Sequence, residues 1–205
     1  PPYVEWMGFG DHSEKWADTW NNNANLVDVI ARQTDAREYQ GYIDAFREEA
    51  KSLRQVEERK MPGVLSQLFT APKLESSDWT IDGRDDVLNV FEDAGWAAFR
   101  SNPDDRDRDI AMIFRSSPYG AISHSHANNN DFILHVGGKV MAMPSGYYAG
   151  YGSGHHAHWV WHTKSHNCVT LSDASQLMRS PDSAGKVVMP YEDARVAFLC
   201  GVADT

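Results

Sequence analysis

The chain has 205 residues, 41% of them hydrophobic, which suits one large or two small globular domains. Its net charge of −10, with 19 basic residues scattered among 29 acidic ones, argues against a nucleic-acid binder, which needs clustered lysine and arginine. Two cysteines make neither a disulfide framework nor a thiolate metal site, and the sequence has no run of about 18 apolar residues that could span a membrane.

The first third of the sequence predicts helices. Apolar residues from Trp16 to Ala31 recur at helical spacing, and a clearer apolar stripe runs from Tyr39 to Leu53 with charged residues opposite. Proline, serine and glycine between residues 62 and 86 then indicate a linker.

From Val87 onward, short apolar runs alternate with turn residues, which is typical of an antiparallel sheet rather than of βαβ units. Gly137 and Gly138 fit a two-residue hairpin turn, because both accept positive φ. The charged loop 102–109 is expected to be a solvated turn. The candidate strands are Gly95–Arg100, Asp109–Phe114, Phe132–Val136, Lys139–Met143, Cys168–Leu171 and Arg195–Leu199.

The stretch Ser123–Asn130 is an unusually polar loop with two imidazoles and three amides, and eight of the nine histidines lie between His124 and His166. Histidine titrates nearest neutral pH and is the commonest metal ligand, so the cluster predicts acid/base or metal chemistry. In an extended loop, His124 and His126 point to opposite faces, so that one can face a substrate while a metal or a hydrogen bond fixes the other. The alternative is a histidine-rich surface without chemistry.

The loop Gly146–Gly154 carries Tyr147, Tyr148 and Tyr151 among its glycines. Glycine lets the backbone approach a ligand, and tyrosine offers a flat face to a sugar and a hydroxyl that exchanges protons. The alternative is a glycine-rich hairpin whose tyrosines only pack.

Two familiar hydrolase motifs are absent. His162 and His166 have the spacing of a helical zinc pair, but Thr163 stands where the metalloprotease motif has glutamate. No Gly-x-Ser-x-Gly sequence marks a serine hydrolase.

Four short blocks share this region: Arg115-Ser116-Ser117-Pro118-Tyr119-Gly120, Ser123-His124-Ser125-His126-Ala127, Ser145-Gly146-Tyr147-Tyr148 and Thr163-Lys164-Ser165-His166-Asn167. In order and spacing, all four together resemble the heparinase II/III-like polysaccharide lyases, a family that includes oligoalginate lyases. The resemblance is strongest over Phe91–Leu171.

The resemblance implies an α+β fold, with the end of an incomplete α/α toroid and a linker in residues 1–72 and the N-terminal part of an antiparallel β-sandwich in residues 73–205. The chain starts without methionine and stops after a strand-like run, so we expect a segment of a longer protein, inactive alone. Its partners would be a uronate polysaccharide or oligosaccharide and the rest of the same chain. The family favours a periplasmic or secreted location.

The resemblance also implies β-elimination on a uronic-acid polysaccharide such as alginate or a glycosaminoglycan. His124 would be the substrate-facing catalytic histidine, and Tyr148 or Tyr151 would contact the substrate or assist the acid step. Asn128 stands where the family commonly has aspartate. The substrate-binding candidates are Arg115, Asn128, Asn130, Trp159 and Lys164.

His126 and His166 match the family's histidine ligands for a structural zinc. Pro144 occupies the position of the usual aspartate ligand, and zinc normally takes three or four protein ligands. Two alternatives follow: His158, His162 or water completes the zinc site, or His126 and His166 hydrogen-bond to each other or to asparagines.

Two other functions remain open. A uronosyl C5-epimerase begins with the same proton abstraction at C5 and reprotonates the opposite face. A non-catalytic carbohydrate-binding sandwich would keep the aromatic groove without turnover.

Overall fold

The computed structural model describes residues 27–37, 39–41, 43–44, 87–103, 105–145, 150–193 and 195–204. They fall into two compact units, with residues 27–44 in the first and residues 87–204 in the second. Residues 27–34 are helical, as are the described residues between 37 and 44. The toroid predicted for residues 1–72 and the boundary at residue 72 lie largely outside the described residues and stay predictions.

The second unit is built from two antiparallel sheets. Five strands form a meander in chain order: β1 Leu88–Phe91, β2 Trp96–Arg100, β3 Ile110–Arg115, β4 Asp131–Val136 and β5 Lys139–Ala142. A two-stranded sheet pairs β6 Gly185–Glu192 with β7 Ala197–Ala203. One short helix, α1 Gly154–His158, and 3₁₀ turns at Glu92–Ala94 and Thr163–Ser165 complete this unit's regular structure among the described residues. The predicted class, a partial antiparallel β-sandwich, is confirmed.

The Gly137-Gly138 hairpin is confirmed, because both glycines have positive φ, 56° and 70°, and Val136 pairs with Lys139 across the turn. The strand predicted at Cys168–Leu171 is wrong. Val169 and Leu171 are 87% and 81% exposed there, and no described strand pairs with this segment. Apolar alternation alone does not make a strand without a partner that buries it.

Strand alternation gives the five-stranded sheet two different faces. One face buries Ile133 and His135 and carries Arg115 opposite Asp131 at the end of the β3–β4 pair. The other face lines an apolar groove of about 450 Å³ together with residues of β7. The groove is lined by Phe99, Ile110, Met112, Phe114, Leu134, Ala197, Phe198 and Leu199.

The charged loop between β2 and β3 is not simply a solvated turn. Asp109 is fully buried, pairs with Arg100 Nε at 2.5 Å and accepts a hydrogen bond from Asn102 N at 2.8 Å. The loop therefore ends in a partly buried ion pair between Arg100 and the fully buried Asp109, which closes it. Separately, none of the helices in the described part of the chain combines the length and apolarity that a membrane crossing requires.

Candidate functional site

The polar loop 123–130 leads into β4, and burial separates its two histidines. His124 is exposed, whereas His126 is only 3% exposed and packs its ring 5.2 Å from the rings of Trp161 and His166. The two imidazoles thus lie in different environments, as expected if they have different roles. The catalytic role of His124 stays a prediction.

Long-range hydrogen bonds hold this loop in place. Gln176 accepts from Asn129 N at 2.9 Å and donates to Asn129 O at 2.8 Å, so its amide pairs with the backbone as a neighbouring strand would. Thr163 Oγ1 donates to Ala127 O at 2.7 Å. Asn129 Oδ1 also accepts from Ser117 N at 2.9 Å. The backbone behind His124 is therefore fixed on several sides.

A buried polar network lies behind the loop. Arg115 Nη1 donates to Asn128 Oδ1 at 2.6 Å, and Asn128 Nδ2 donates to Asp131 Oδ2 at 2.9 Å. Asp131 also accepts from Asn167 N at 3.0 Å and lies 3.2 Å from His166 Nδ1. The network joins two of the four sequence blocks, those of Arg115 and His166, to the start of β4.

Two residues at the network have shifted pKa values, and burial is the main cause of both shifts. Burial lowers the pKa of Arg115, against the raising effect of Asp131. Burial, and then Asp131, raise the pKa of the Cys168 thiol, against the lowering effect of Arg115. Substrate contact by Arg115 and Asn128 stays a prediction.

The other three substrate-binding candidates lie in different surroundings. Asn130 has a left-handed backbone, with φ 64°, and its partly exposed side chain has Oδ1 buried without a hydrogen-bond partner among the described residues. Trp159 is 41% exposed and donates from Nε1 to Ser145 Oγ at 2.9 Å. Lys164 pairs with Asp173 at 3.3 Å. Trp159 therefore presents an anchored aromatic face, while Lys164 already has a carboxylate partner.

Of the two candidate catalytic tyrosines, Tyr148 lies outside the described residues. Tyr151 is 87% exposed, with its ring 4.9 Å from that of His156. His156 Nδ1 accepts from Gly152 N at 3.2 Å, which places the proton of a neutral His156 on Nε2. Tyr151 thus offers a solvent-facing phenol supported by a buried imidazole.

The zinc site implied by the resemblance lacks a third ligand among the described side chains. His166 Nε2 lies 3.2 Å from Val160 O, and Nδ1 lies 3.2 Å from Asp131 Oδ2. Pro144 is buried and has no side-chain donor. Within the described ranges, no three histidine, cysteine or acidic side chains come together to hold a metal. Zinc at His126 and His166 stays a prediction, and no catalytic step is derived through it.

Sequence reasoning missed three residues of the site. Asp131 could have been noticed as an acidic residue at the start of an apolar strand. Gln176 and Arg179 gave no signal, because their contacts with Asn129 and with Trp161 depend on the fold and not on the local sequence. Arg179 places its guanidinium carbon 5.0 Å from the centre of the Trp161 ring.

The sequence profile described as heparinase II/III-like, C-terminal, matches residues 84–196, more than half of the chain and all of the site described above. The chain belongs to the heparinase II/III-like family. This membership agrees with the resemblance carried by the four blocks and supports a polysaccharide lyase family. No curated protein matches the chain by sequence.

Solved structures share the fold of this heparinase II/III-like chain. Heparinase III, the BT4657 gene product, matches with a TM-score of 0.61 and 16% identity over 97% of the chain. A mutant of the heparan sulfate lyase HepC from Pedobacter heparinus matches with a TM-score of 0.61 and 18% identity over 98% of the chain. The chain spans 26% of each of these structures, about a quarter of their length.

Proposed function

We propose that the protein containing this chain is a polysaccharide lyase that cleaves a uronic-acid polysaccharide, such as alginate or a glycosaminoglycan, by β-elimination. Residues 87–204 would supply the sandwich side of its active site. Family membership supports the lyase class, and the names of the solved relatives favour a glycosaminoglycan over alginate.

One observation carries the proposal: His124 is exposed on a loop whose following residues are buried and hydrogen-bonded. A general acid or base must first lie within hydrogen-bonding distance of the proton that it transfers, and only then does its pKa matter. An exposed imidazole on a fixed backbone meets this first requirement. The two hydrogen bonds of Gln176 to Asn129, five residues along from His124, supply that fixation.

The reaction places distinct demands on the site. A base removes the proton at C5, the electron pair forms the C4=C5 double bond, and the C4–O4 bond breaks as an acid protonates O4. Charge that develops on the adjacent carboxylate needs positive or hydrogen-bond-donating groups. In this proposal His124 takes the C5 proton or neutralises the carboxylate, Tyr151 gives a proton to O4, and Trp159 stacks against a sugar ring.

The full-length protein tests the proposal. Uronate polysaccharides are mixed with it, and the ultraviolet absorbance of the new C4=C5 double bond is followed together with deuterium exchange at C5. We expect the double bond to form and His124→Ala to lower its rate at least about a hundredfold while the protein stays folded. Ile122→Ala, at an exposed position two residues earlier, is the matched control and should keep the wild-type rate.

The same measurement separates the alternative functions. Deuterium exchange at C5 without a double bond would identify an epimerase. Binding of the polysaccharide with neither exchange nor a double bond would identify a carbohydrate-binding sandwich.

A further inference from the structure

Three cationic side chains lie near the loop 123–130, here called the histidine loop, and they differ in whether a protein group already pairs with them. Arg115 is 4% exposed and donates to Asn128, and Lys164 pairs with Asp173. Arg179 is exposed, and no carboxylate of the described residues pairs with it. Of these three, Arg179 is the one whose charge remains available to an anion.

Hydrogen bonds on either side of Arg179 hold its segment beside the histidine loop. On one side, Gln176 pairs with both backbone groups of Asn129. On the other side, Ser180 O accepts a hydrogen bond from Ala121 N at 2.8 Å. Arg179 lies between these two attachments, so its position follows the loop that carries His124.

The indole of Trp161 holds the guanidinium. The Arg179 guanidinium carbon lies 5.0 Å from the ring centre, within the range of a cation–π interaction. Trp161 is only 7% exposed, and its ring also contacts those of His126 and His156. A planar guanidinium held by a buried ring is oriented while its N–H groups remain able to bind an anion.

The backbone at Arg179 is in a conformation that a side chain disfavours. Its φ is 54°, in the left-handed region that glycine adopts without the steric cost that other residues have there. Folding stability alone would therefore favour glycine at this position. Backbone strain of this kind occurs often at functional sites, so it supports a functional role for Arg179.

We propose that Arg179 binds an anionic group of the sugar substrate, a carboxylate or a sulfate, through its guanidinium as oriented by Trp161. This inference rests on the proposed function and adds a substrate-binding residue to it. Carboxylate and sulfate share the paired oxygens that a guanidinium binds with two parallel hydrogen bonds. Arg179 then provides the charge that Arg115 and Lys164 direct to partners within the protein.

The test compares Arg179→Gly, Arg179→Gln and Arg179→Lys in the full-length protein, with sulfated and unsulfated uronate oligosaccharides as substrates. Arg179→Gly suits the left-handed backbone, so the fold should be kept while the charge is removed. We expect KM to rise about tenfold or more in the glycine and glutamine variants, with kcat changed less than about twofold. Lysine should restore part of the affinity, because it keeps the charge and loses the two-pronged geometry.

Arg195→Gln is the matched control, since Arg195 is an exposed arginine in the turn between β6 and β7. Its KM should equal that of the wild type. An Arg179 effect on both substrates assigns the carboxylate, and an effect on the sulfated substrate alone assigns the sulfate. Unchanged KM in Arg179→Gly and Arg179→Gln on both substrates would overturn the inference.

Calorimetric binding of the same oligosaccharides separates this inference from the proposed function. If the wild type forms no double bond but binds, and Arg179→Gly weakens that binding, the lyase proposal fails while the role of Arg179 stands. If the wild type neither binds nor turns over these substrates, both fail.

Discussion

Asp131 is fully buried, accepts hydrogen bonds from Asn128 and Asn167, and faces both Arg115 and His166. At the scale of single residues, this carboxylate organises the buried polar groups behind the loop 123–130. Arg115 and Asn128 are buried and hydrogen-bond within the network, whereas His124 and Tyr151 are exposed.

Removing the Asp131 carboxylate should destabilise the protein strongly. Asp131→Ala removes the negative charge near the buried Arg115. It also leaves the buried Nδ2 of Asn128 and the amide of Asn167 without their acceptor, at about 1 to 3 kcal/mol for each group. Asp131→Asn keeps the volume and one acceptor oxygen, so its loss should be smaller. Urea unfolding measures both variants, and equal midpoints for Asp131→Ala and wild type would contradict this account of the network.

The raised pKa of Cys168 predicts an unreactive thiol. The thiolate is the nucleophile, so a raised pKa lowers the reactive fraction at any given pH. We expect Cys168 to resist iodoacetamide at about pH 8 in the native protein and to react once urea unfolds it. Mass spectrometry of the peptide that contains Cys168 reports the labelling. Rapid labelling of the native protein would contradict a raised pKa of the Cys168 thiol.

The sign of the linked stability follows from the same shift. Folding favours the protonated thiol, so this contribution is present below the unfolded-state pKa of Cys168 and is lost as pH rises above it. A Cys168→Ala variant should therefore lose less stability than wild type between about pH 8 and pH 10. Urea midpoints across that range provide the measurement, and parallel losses would count against the shift.

At the scale of elements, the histidine loop is held by contacts with residues that are distant in sequence. The hairpin at Gly137 and Gly138 was predictable because two adjacent glycines supply both positive φ angles locally. The pairing of Gln176 with Asn129 spans 47 residues and leaves no mark on either local sequence. The failed strand at Cys168–Leu171 has the same cause, since partners decide whether an apolar run becomes a strand. The division between exposed His124 and buried His126 was accessible from their spacing, whereas Arg179 was not.

Gln176 should control the order of the histidine loop. Gln176→Ala leaves the buried N–H of Asn129 without its partner, at about 1 to 3 kcal/mol, and leaves the C=O with only the weak contact from Cys168 Sγ at 3.5 Å. We expect faster amide hydrogen exchange across residues 126–130 and a lower kcat. Leu177→Ala, at the neighbouring position that is 47% exposed, is the control and should change neither quantity. Wild-type exchange rates in Gln176→Ala would show that the loop is held in another way.

Gly95 should tolerate no side chain. Its φ is 67°, and a Cβ there would meet the backbone oxygen of Ser116 and lie 2.6 Å from Ser117 Cα. We expect Gly95→Ala to lower the free energy of unfolding by more than the roughly 1 kcal/mol that the left-handed backbone alone costs. Gly154→Ala is the control, because nothing lies within 4 Å of its added Cβ and it occupies a helix. Equal stability of the two variants would contradict the close approach at Gly95.

At the scale of the whole molecule, the chain spans about a quarter of the solved structures that share its fold. In the second unit, Val169 and Leu171 are more than 80% exposed, and Val196 and Val202 are at least half exposed. Exposed apolar residues favour association with other chains.

Residues 1–205 produced alone should therefore self-associate and form no C4=C5 double bond under conditions in which the full-length protein does. Light scattering coupled to size exclusion measures the first property, and ultraviolet absorbance measures the second. A monomeric segment with robust turnover would refute this view.

The carboxylate of Glu192, at the end of β6, accepts hydrogen bonds from the amides of Val87 and Leu88 at the start of β1. These groups are 105 and 104 residues apart in the chain. At roughly 5 to 20 residues per second, a ribosome needs on the order of 5 to 20 s to make that stretch. Until then water must serve the two amides, so this contact is among the last that the nascent sandwich can form.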